Sequence, residues 1–349
     1  MKGNKLIILV AILVVAVGVI ILNEKLGNKK PTEKEQKFFP EMTEQTIGKI
    51  IISEGETSIQ LKRKGDVWVV SKPSADAAEK PASTPLGAEN APATAETAVE
   101  YTVDSASITA AVEKIASLKK DALISENPEK QSIFEVDSVK GLNITVADNS
   151  GKKIGSFIIG KSGPDYNSNY IRLKGSNDVY MSSGGVRYSL FTDLNRWRDK
   201  TILRFDKTTA KGITLTSKDG SMITLAHADS GNPWQIIEPI QNPAKTETVN
   251  GIIEKLASLS ATDFQDEALA DTATGFDSPE LGVTVSFNNG SSRNIIFGKK
   301  NSDNKYWVKT DGKDQVFLIG EYTVNQVNKT LDDLKGEPEV KPVKADSVK

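Results

Sequence analysis

The longest apolar stretch of the chain comes first: Leu6 to Leu22 reads LIILVAILVVAVGVIIL. As a helix rising about 1.5 Å per residue it spans roughly 25 Å, close to the hydrocarbon thickness of a bilayer. A cleaved signal peptide has a shorter apolar region and small residues at its cleavage site, whereas Asn23, Glu24 and Lys25 follow here. The run is therefore expected to be an uncleaved transmembrane anchor over 6–22, behind a short flank of residues 1–5 and ahead of a polar stalk over 23–46. Lys2 and Lys5 precede the run, and Lys25, Lys29, Lys30, Lys34 and Lys37 follow it. A count of flanking cations would place the soluble region in the cytoplasm, whereas a short basic N-terminus is the usual signal-anchor arrangement, so charge does not decide the orientation.

Beyond the stalk the apolar positions fall into short alternating runs, and the whole series occurs twice. Trp68-Val69-Val70-Ser71-Lys72-Pro73 recurs as Trp234-Gln235-Ile236-Ile237-Glu238-Pro239, and Glu113 to Leu118 recurs as Glu254 to Leu259. Val136-Asp137-Ser138 matches Phe276-Asp277-Ser278, Ile159-Gly160-Lys161 matches Phe297-Gly298-Lys299, and Tyr170 is matched to Tyr306. Two repeats are expected, over 47–200 and 201–334. The first is the longer, and its excess falls in 75–103, an Ala-, Pro-, Thr- and Glu-rich stretch whose composition predicts a disordered insertion; 335–349 reads as a disordered tail.

The first repeat is predicted to have strands at Ile50–Ile52, Ser58–Lys62 and Val67–Val70, with tight turns at Glu54-Gly55 and Lys64-Gly65. Ile108, Val112, Ile115 and Leu118 have helical spacing, with Asp104 or Ser105 as N-cap. Strands at Leu142–Ala147, Ile154–Ile159, Tyr170–Leu173 and Val179–Met181 follow, and a helix around Val186–Leu194 closes the unit. The second repeat follows suit with strands near 213–216, 223–226, 234–237, 283–287, 294–297, 306–309 and 316–318 and helices over 246–259 and 324–334. Strands joined by hairpin turns outnumber helices, which predicts an α+β class with largely antiparallel sheets.

Composition removes several functions. The 44 basic and 46 acidic residues give a net charge of −2, so no global positive field favours nucleic acid. With no cysteine there is no disulfide, thiolate metal site, cysteine nucleophile or lipoprotein attachment.

The remaining candidates each have a plainer structural explanation. His227, near Asp229, is the single histidine and lacks a positioned nucleophile. Asp137 and Asp277 precede serines, as in ordinary turns. Gly155 to Ser162 reads GSFIIGKS, a literal phosphate-loop pattern, but Phe157-Ile158-Ile159 reads as strand, Gly163-Pro164 replaces the required helix, and the second repeat has Arg293 and Lys300 where Gly155 and Ser162 stand in the first. It is read as a strand running into a hairpin turn. Trp68 and Trp234 have the chemistry to stack on a sugar but are expected to pack the sheet against the helix. Tyr188, Phe191, Trp197 and Phe205, with Arg196, Arg198 and Arg204, cluster at the repeat junction and are expected to cement it. No catalytic, cofactor-binding or metal residue is assigned, and no cofactor is expected.

Taken in order, these motifs resemble the bacterial family of the domain of unknown function 4340. The resemblance runs from about Ile47 to Leu334 and rests on the anchor, Trp68 to Pro73, Glu113 to Leu118, Val136-Asp137-Ser138, Ile159-Gly160-Lys161, Tyr170-Ile171-Arg172 and Arg198-Asp199-Lys200. Glu135 and Val139 stand where the family usually has Gly and Pro, which the second repeat supplies as Gly275 and Pro279. The resemblance implies an auxiliary protein beside gliding-motility-type ABC transporter systems, with an extracytoplasmic soluble region. The expected function is a non-enzymatic accessory subunit or scaffold on the inner membrane, single-pass and periplasmic, touching the bilayer through 6–22 and a membrane-protein partner, with no nucleic acid. A glycan- or solute-binding module using a groove lined by the junction aromatics is the alternative, and a hydrolase built from distant acids ranks last.

Overall fold

A computed structural model describes residues 37–73, 99–228 and 233–337. The chain divides into two compact units between Asp199 and Lys200.

In the first unit β1 (Ile47–Glu54), β2 (Thr57–Lys64) and β3 (Val67–Ser71) form a meander, its turns made by Gly55 and Gly65 at φ 57° and 60°, a backbone region open to glycine at little cost. β4 (Tyr101–Thr102) pairs with β3, and α1 (Ser105–Ala116) follows, capped by the Asp104 carboxylate accepting from the Ser107 N–H at 2.8 Å. β5 (Ala122–Ser125), β6 (Leu142–Asp148), β7 (Lys153–Ser162), β8 (Ser168–Leu173) and β9 (Val179–Ser183) complete an antiparallel sheet ordered β4-β3-β2-β1-β6-β7-β8-β9-β5. Helix α1 lays Ile108, Ala111, Val112 and Ile115 on one face of the sheet, against Ile50, Ile52, Leu61, Ile144 and Phe157. Toward β7–β9 a smaller apolar cluster, Val136, Ile158 and Val179 with Phe134 and Tyr170, forms with the connection that leads into β6.

The second unit opens with β10 (Thr201–Arg204), then β11 (Ala210–Ser217), β12 (Met222–Ala226), β13 (Gln235–Glu238), β14 (Asn242–Pro243) and α2 (Thr246–Ala257). β15 (Ser258–Ser260) pairs with β10; β16 (Asp263–Gln265), α3 (Asp271–Thr274), β17 (Leu281–Phe287), β18 (Ser292–Lys300), β19 (Lys305–Thr310), β20 (Val316–Gly320), α4 (Glu321–Val327) and α5 (Leu331–Leu334) follow. Its sheet is ordered β14-β13-β12-β11-β17-β18-β19-β20-β16, position for position the arrangement of the first. Register irregularities coincide as well: β1 slips between Ile47 and Lys49 against β6, and β11 between Ala210 and Gly212 against β17. The described residues thus form two large, mostly antiparallel sheets and the small β10-β15 pair, with few helices.

Several expectations need correction. The stretch expected as stalk ends in the fold: Phe38 and Met42 are buried in the first core, because an apolar side chain there gains more from the core than from water. The expected insertion ends early, since Tyr101–Thr102 is β4 and Val103 is buried. The expected tail starts pinned, Gly336 donating its N–H to the Pro243 carbonyl at 2.8 Å. The helix expected over 186–194 is two 3-10 turns, Val186–Ser189 and Leu194–Arg196, separated by an extended Leu190. The helix expected over 246–259 ends at Ala257, where β15 takes over, and that expected over 324–334 is broken by the Thr330–Asp333 capping box of α5. Among the described residues no helix is long and apolar enough to cross a membrane; the stretch 6–22, the core of the insertion and most of the tail lie outside them.

Candidate functional site

The phosphate-loop pattern of Gly155 to Ser162 lies within the single strand β7. The Gly-Lys pair, expected in a hairpin turn, sits inside the strand at a register shift against β8 between Ile159 and Ser162, and β18 shifts identically between Phe297 and Lys300. The reason for the glycine is steric. A Cβ on Gly160 would overlap the Phe134 carbonyl oxygen and one on Gly298 the Thr274 carbonyl oxygen, so the turn before β6 in the first unit and the end of α3 in the second lie with their backbone directly on the strand. The Lys161 N–H donates to the Phe134 carbonyl at 3.2 Å. These glycines permit backbone contact.

The neighbouring turn accounts for the family's glycine and proline. Glu135 holds φ 57°, and Gly275 takes the same place at φ 78°. Asp137 Oδ1 accepts from the N–H groups of Val139 and Lys140, each at 2.9 Å. Pro279, opposite Val139, has no N–H to offer, and Asp277 is exposed. The recurring aspartates therefore do not share one chemical setting. Arg172 donates from Nε to the Val136 carbonyl at 2.9 Å; burial lowers its pKa and the Asp137 charge opposes that shift.

The tyrosines matched by sequence are out of step. Ile159 pairs with Ile171 and Phe297 with Val308, which makes Trp307 the counterpart of Tyr170 and Asn169 the counterpart of Tyr306. A one-residue slip moves a side chain to the other face of a strand: Tyr170 joins the small cluster, its ring 4.7 Å from Phe134, while Tyr306 packs on the main core.

The remaining candidates are packed. Trp234 is 5% exposed, gives its Nε1–H to Asn250 Oδ1 at 3.0 Å and meets His227 edge-on at 4.4 Å. His227 Nε2 lies 2.8 Å from the Ala210 carbonyl, where it must donate. Both line a groove of ≈ 490 Å³ whose rim carries the Lys207–Glu254 ion pair. Trp68 is 8% exposed beneath the Arg63 guanidinium. Trp197 is fully buried in the first unit, with Phe191 4.4 Å away; Arg198 is buried over the Tyr101 ring. Phe205 packs on Phe287 in the second unit at 5.1 Å, and Tyr188 and Arg204 are exposed. The junction aromatics are thus divided between two cores. Asp229 lies outside the described residues.

A profile described as a domain of unknown function (DUF4340) matches residues 94–272 and 234–348. The chain belongs to this family. The Gly160–Phe134 contact gives one of the residues that carry the DUF4340 resemblance a steric reason for being glycine, and the Gly298–Thr274 contact repeats it in the second unit. No curated protein and no solved structure matches the chain.

One pair escaped the sequence analysis of this DUF4340 protein. Lys49 on β1 is register partner to Lys62 on β2, and on its other side faces Ala147 of β6. Burial, then the facing Lys62 charge, lowers the Lys49 pKa below the ordinary lysine value. The equivalent positions in the second sheet are Gly212, Ala226 and Ser286.

Proposed function

We propose that the protein is a non-enzymatic, membrane-anchored accessory subunit or scaffold, its soluble units extracytoplasmic, serving an ABC-transporter or other envelope complex. The observation that supports it is the use to which both units put their shared residues. Gly160 and Gly298 admit a carbonyl, and Trp68 and Trp234 each accept at 2.9 Å, through their backbone carbonyls, the N–H of the residue that leads into the helix (Val103, Ala244). Groups that recur for shape suit a rigid body that presents surfaces to a partner, while a catalyst needs a convergent set of reactive groups. The apolar stretch 6–22 would supply the anchor. Mild-detergent extraction followed by affinity purification tests the reading: a stoichiometric integral membrane partner is expected, and recovery of the chain alone would overturn it.

A further inference from the structure

The helix-free face of the first sheet is basic where its counterpart in the second unit is neutral. Lys49 and Lys62 stand directly opposite on neighbouring strands, with Cβ atoms about 5 Å apart as in any such pair. The row runs from Val69 through Lys62, Lys49 and Ala147 to Lys153. The five strands β3, β2, β1, β6 and β7 carry only two carboxylates, both at strand ends and both engaged: Glu54 pairs with Arg187, and Asp148 accepts from Ser150 and Lys152. Lys64, the next cation on the same face of β2, is met by Glu100, and no ion pair forms at Lys49 or Lys62 among the described residues. Neighbouring hydroxyls are turned to one another, Ser53 to Ser58 at 2.8 Å and Thr145 to Ser156 at 3.1 Å.

Facing like charges destabilise a sheet, and partial burial of Lys49 adds to that. The fold does not require them, because the second unit builds the same bulge and the same pairing from Gly212 and Ala226. A feature that costs stability and serves no packing purpose is best accounted for by what it binds. We propose that the face centred on Lys49 and Lys62 docks an acidic polypeptide segment, whose carboxylates neutralise the pair. A strand surface on which half-buried Val69 flanks Lys62 and half-buried Ile51 lies two residues along β1 from Lys49 suits a protein chain, which brings carboxylates and apolar side chains together. A phosphate-bearing membrane surface would be met better by protruding lysines than by a half-sunken Lys49. The proposal rests on the scaffold reading only for the existence of a partner.

The test uses the full chain in neutral phosphatidylcholine nanodiscs, titrated with fluorescein-labelled poly-L-glutamate. Binding that weakens as salt rises is expected. The double variant Lys49→Thr/Lys62→Thr should lose at least tenfold in affinity while melting no lower than the parent. Lys62→Glu, which gives Lys49 an opposite charge, should lose as much and keeps the test alive if the double variant folds poorly. Removing the same charge from the second unit, Lys218→Thr/Lys309→Thr, should change affinity less than twofold. The proposal is overturned if the parent does not bind, if the Lys49/Lys62 variants bind like the parent, or if both double variants lose equally. It is also overturned if phosphatidylglycerol vesicles, and not poly-L-glutamate, are the ligand those variants lose. Co-purification addresses the scaffold reading and this titration addresses the face, so either can fail alone.

Discussion

Adding one methyl group at Gly160 should unfold part of the first unit at a temperature where the same methyl at Gly251 makes the second unit stronger. At Gly160 the new Cβ would overlap the Phe134 carbonyl oxygen and lie 2.8 Å from Val136 Cγ1. Backbone cannot rotate away as a side chain can, so the loop must lift. Overpacking of this kind costs about 1–3 kcal/mol, and lifting the loop breaks the bond from the Lys161 N–H to Phe134, about 1 kcal/mol more. The expected loss is about 2–4 kcal/mol, a large part of the roughly 5–15 kcal/mol that holds a domain, and at roughly 2–4 °C per kcal/mol it lowers the melting temperature by roughly 5–15 °C. Gly298→Ala should do the same to the second unit through Thr274. Gly251, exposed inside α2, has nothing within 4 Å of a built Cβ, so Gly251→Ala should stabilise by about 0.5–1 kcal/mol through helix propensity. Thermal melts followed by tryptophan fluorescence, with Trp68 and Trp197 in one unit and Trp234 and Trp307 in the other, resolve the two. A Gly160→Ala protein within 0.5 kcal/mol of the parent would refute the close approach.

The turn beside that contact gives a pair of opposite sign. Glu135→Gly should stabilise the first unit by about 0.5–1 kcal/mol, because relief of a left-handed residue, about 1–2 kcal/mol, exceeds the added chain entropy of glycine; Gly275→Ala, whose Cβ would lie 2.8 Å from the Lys299 nitrogen, should destabilise the second unit by at least 1–2 kcal/mol, or about the left-handed cost alone, and urea midpoints read both. Acid should weaken the fold: the hydroxyls and N–H groups of Ser150, Ser168 and Ser221 hold the Asp148, Asp165 and Asp219 carboxyls below their usual pKa. A depressed folded-state pKa means stability that is present above the unfolded carboxylate value and is lost as pH falls through the folded one, so the melting temperature should drop below about pH 4; in Asp148→Asn/Asp165→Asn/Asp219→Asn, which keeps an acceptor oxygen at each turn, that drop should shrink, and an unchanged profile would refute the assignment. Trp234→Phe keeps an aromatic ring but leaves Asn250 Oδ1 without the indole donor and removes buried volume; a loss of at least about 1 kcal/mol is expected, read as a lower second-unit melting temperature.

How much of this was legible varies with the range over which the residues act. The meander β1–β2–β3 follows from Gly55 and Gly65: once those turns are placed, each residue's partner is as many positions beyond the turn as it is before it, and the Lys49–Lys62 pairing could have been counted out. It was missed because attention to apolar positions leaves the other face unread. The Tyr170–Tyr306 match failed for a related reason. Both strands contain a bulge at the Gly-Lys pair, but the hairpin loops beyond differ in length, so matching letters across the loop slid the register by one. Edge strands β5 and β16, of four and three residues, are too short for alternation to register and exist because a neighbour pairs with them. The glycines of the Gly-Lys segments were visible, but their cause lies in a loop more than 20 residues away in sequence.

The duplication makes a comparison possible within one molecule that a single domain does not offer. Where the units agree in residue, as at the glycines under Phe134 and Thr274, the residue answers to backbone geometry and would be needed whatever the protein bound. Where they disagree at a structurally matched position, geometry is satisfied either way and the difference has some other cause. A difference that trades one solvated side chain for another needs no special cause. Lys49 and Lys62 against Gly212 and Ala226 is of another kind, because the first unit keeps the arrangement that is worse for its own stability. Natural folds accept that penalty where a site needs it. Where two halves of one chain share the residues that build shape, the place to look for a partner is therefore the residues they do not share.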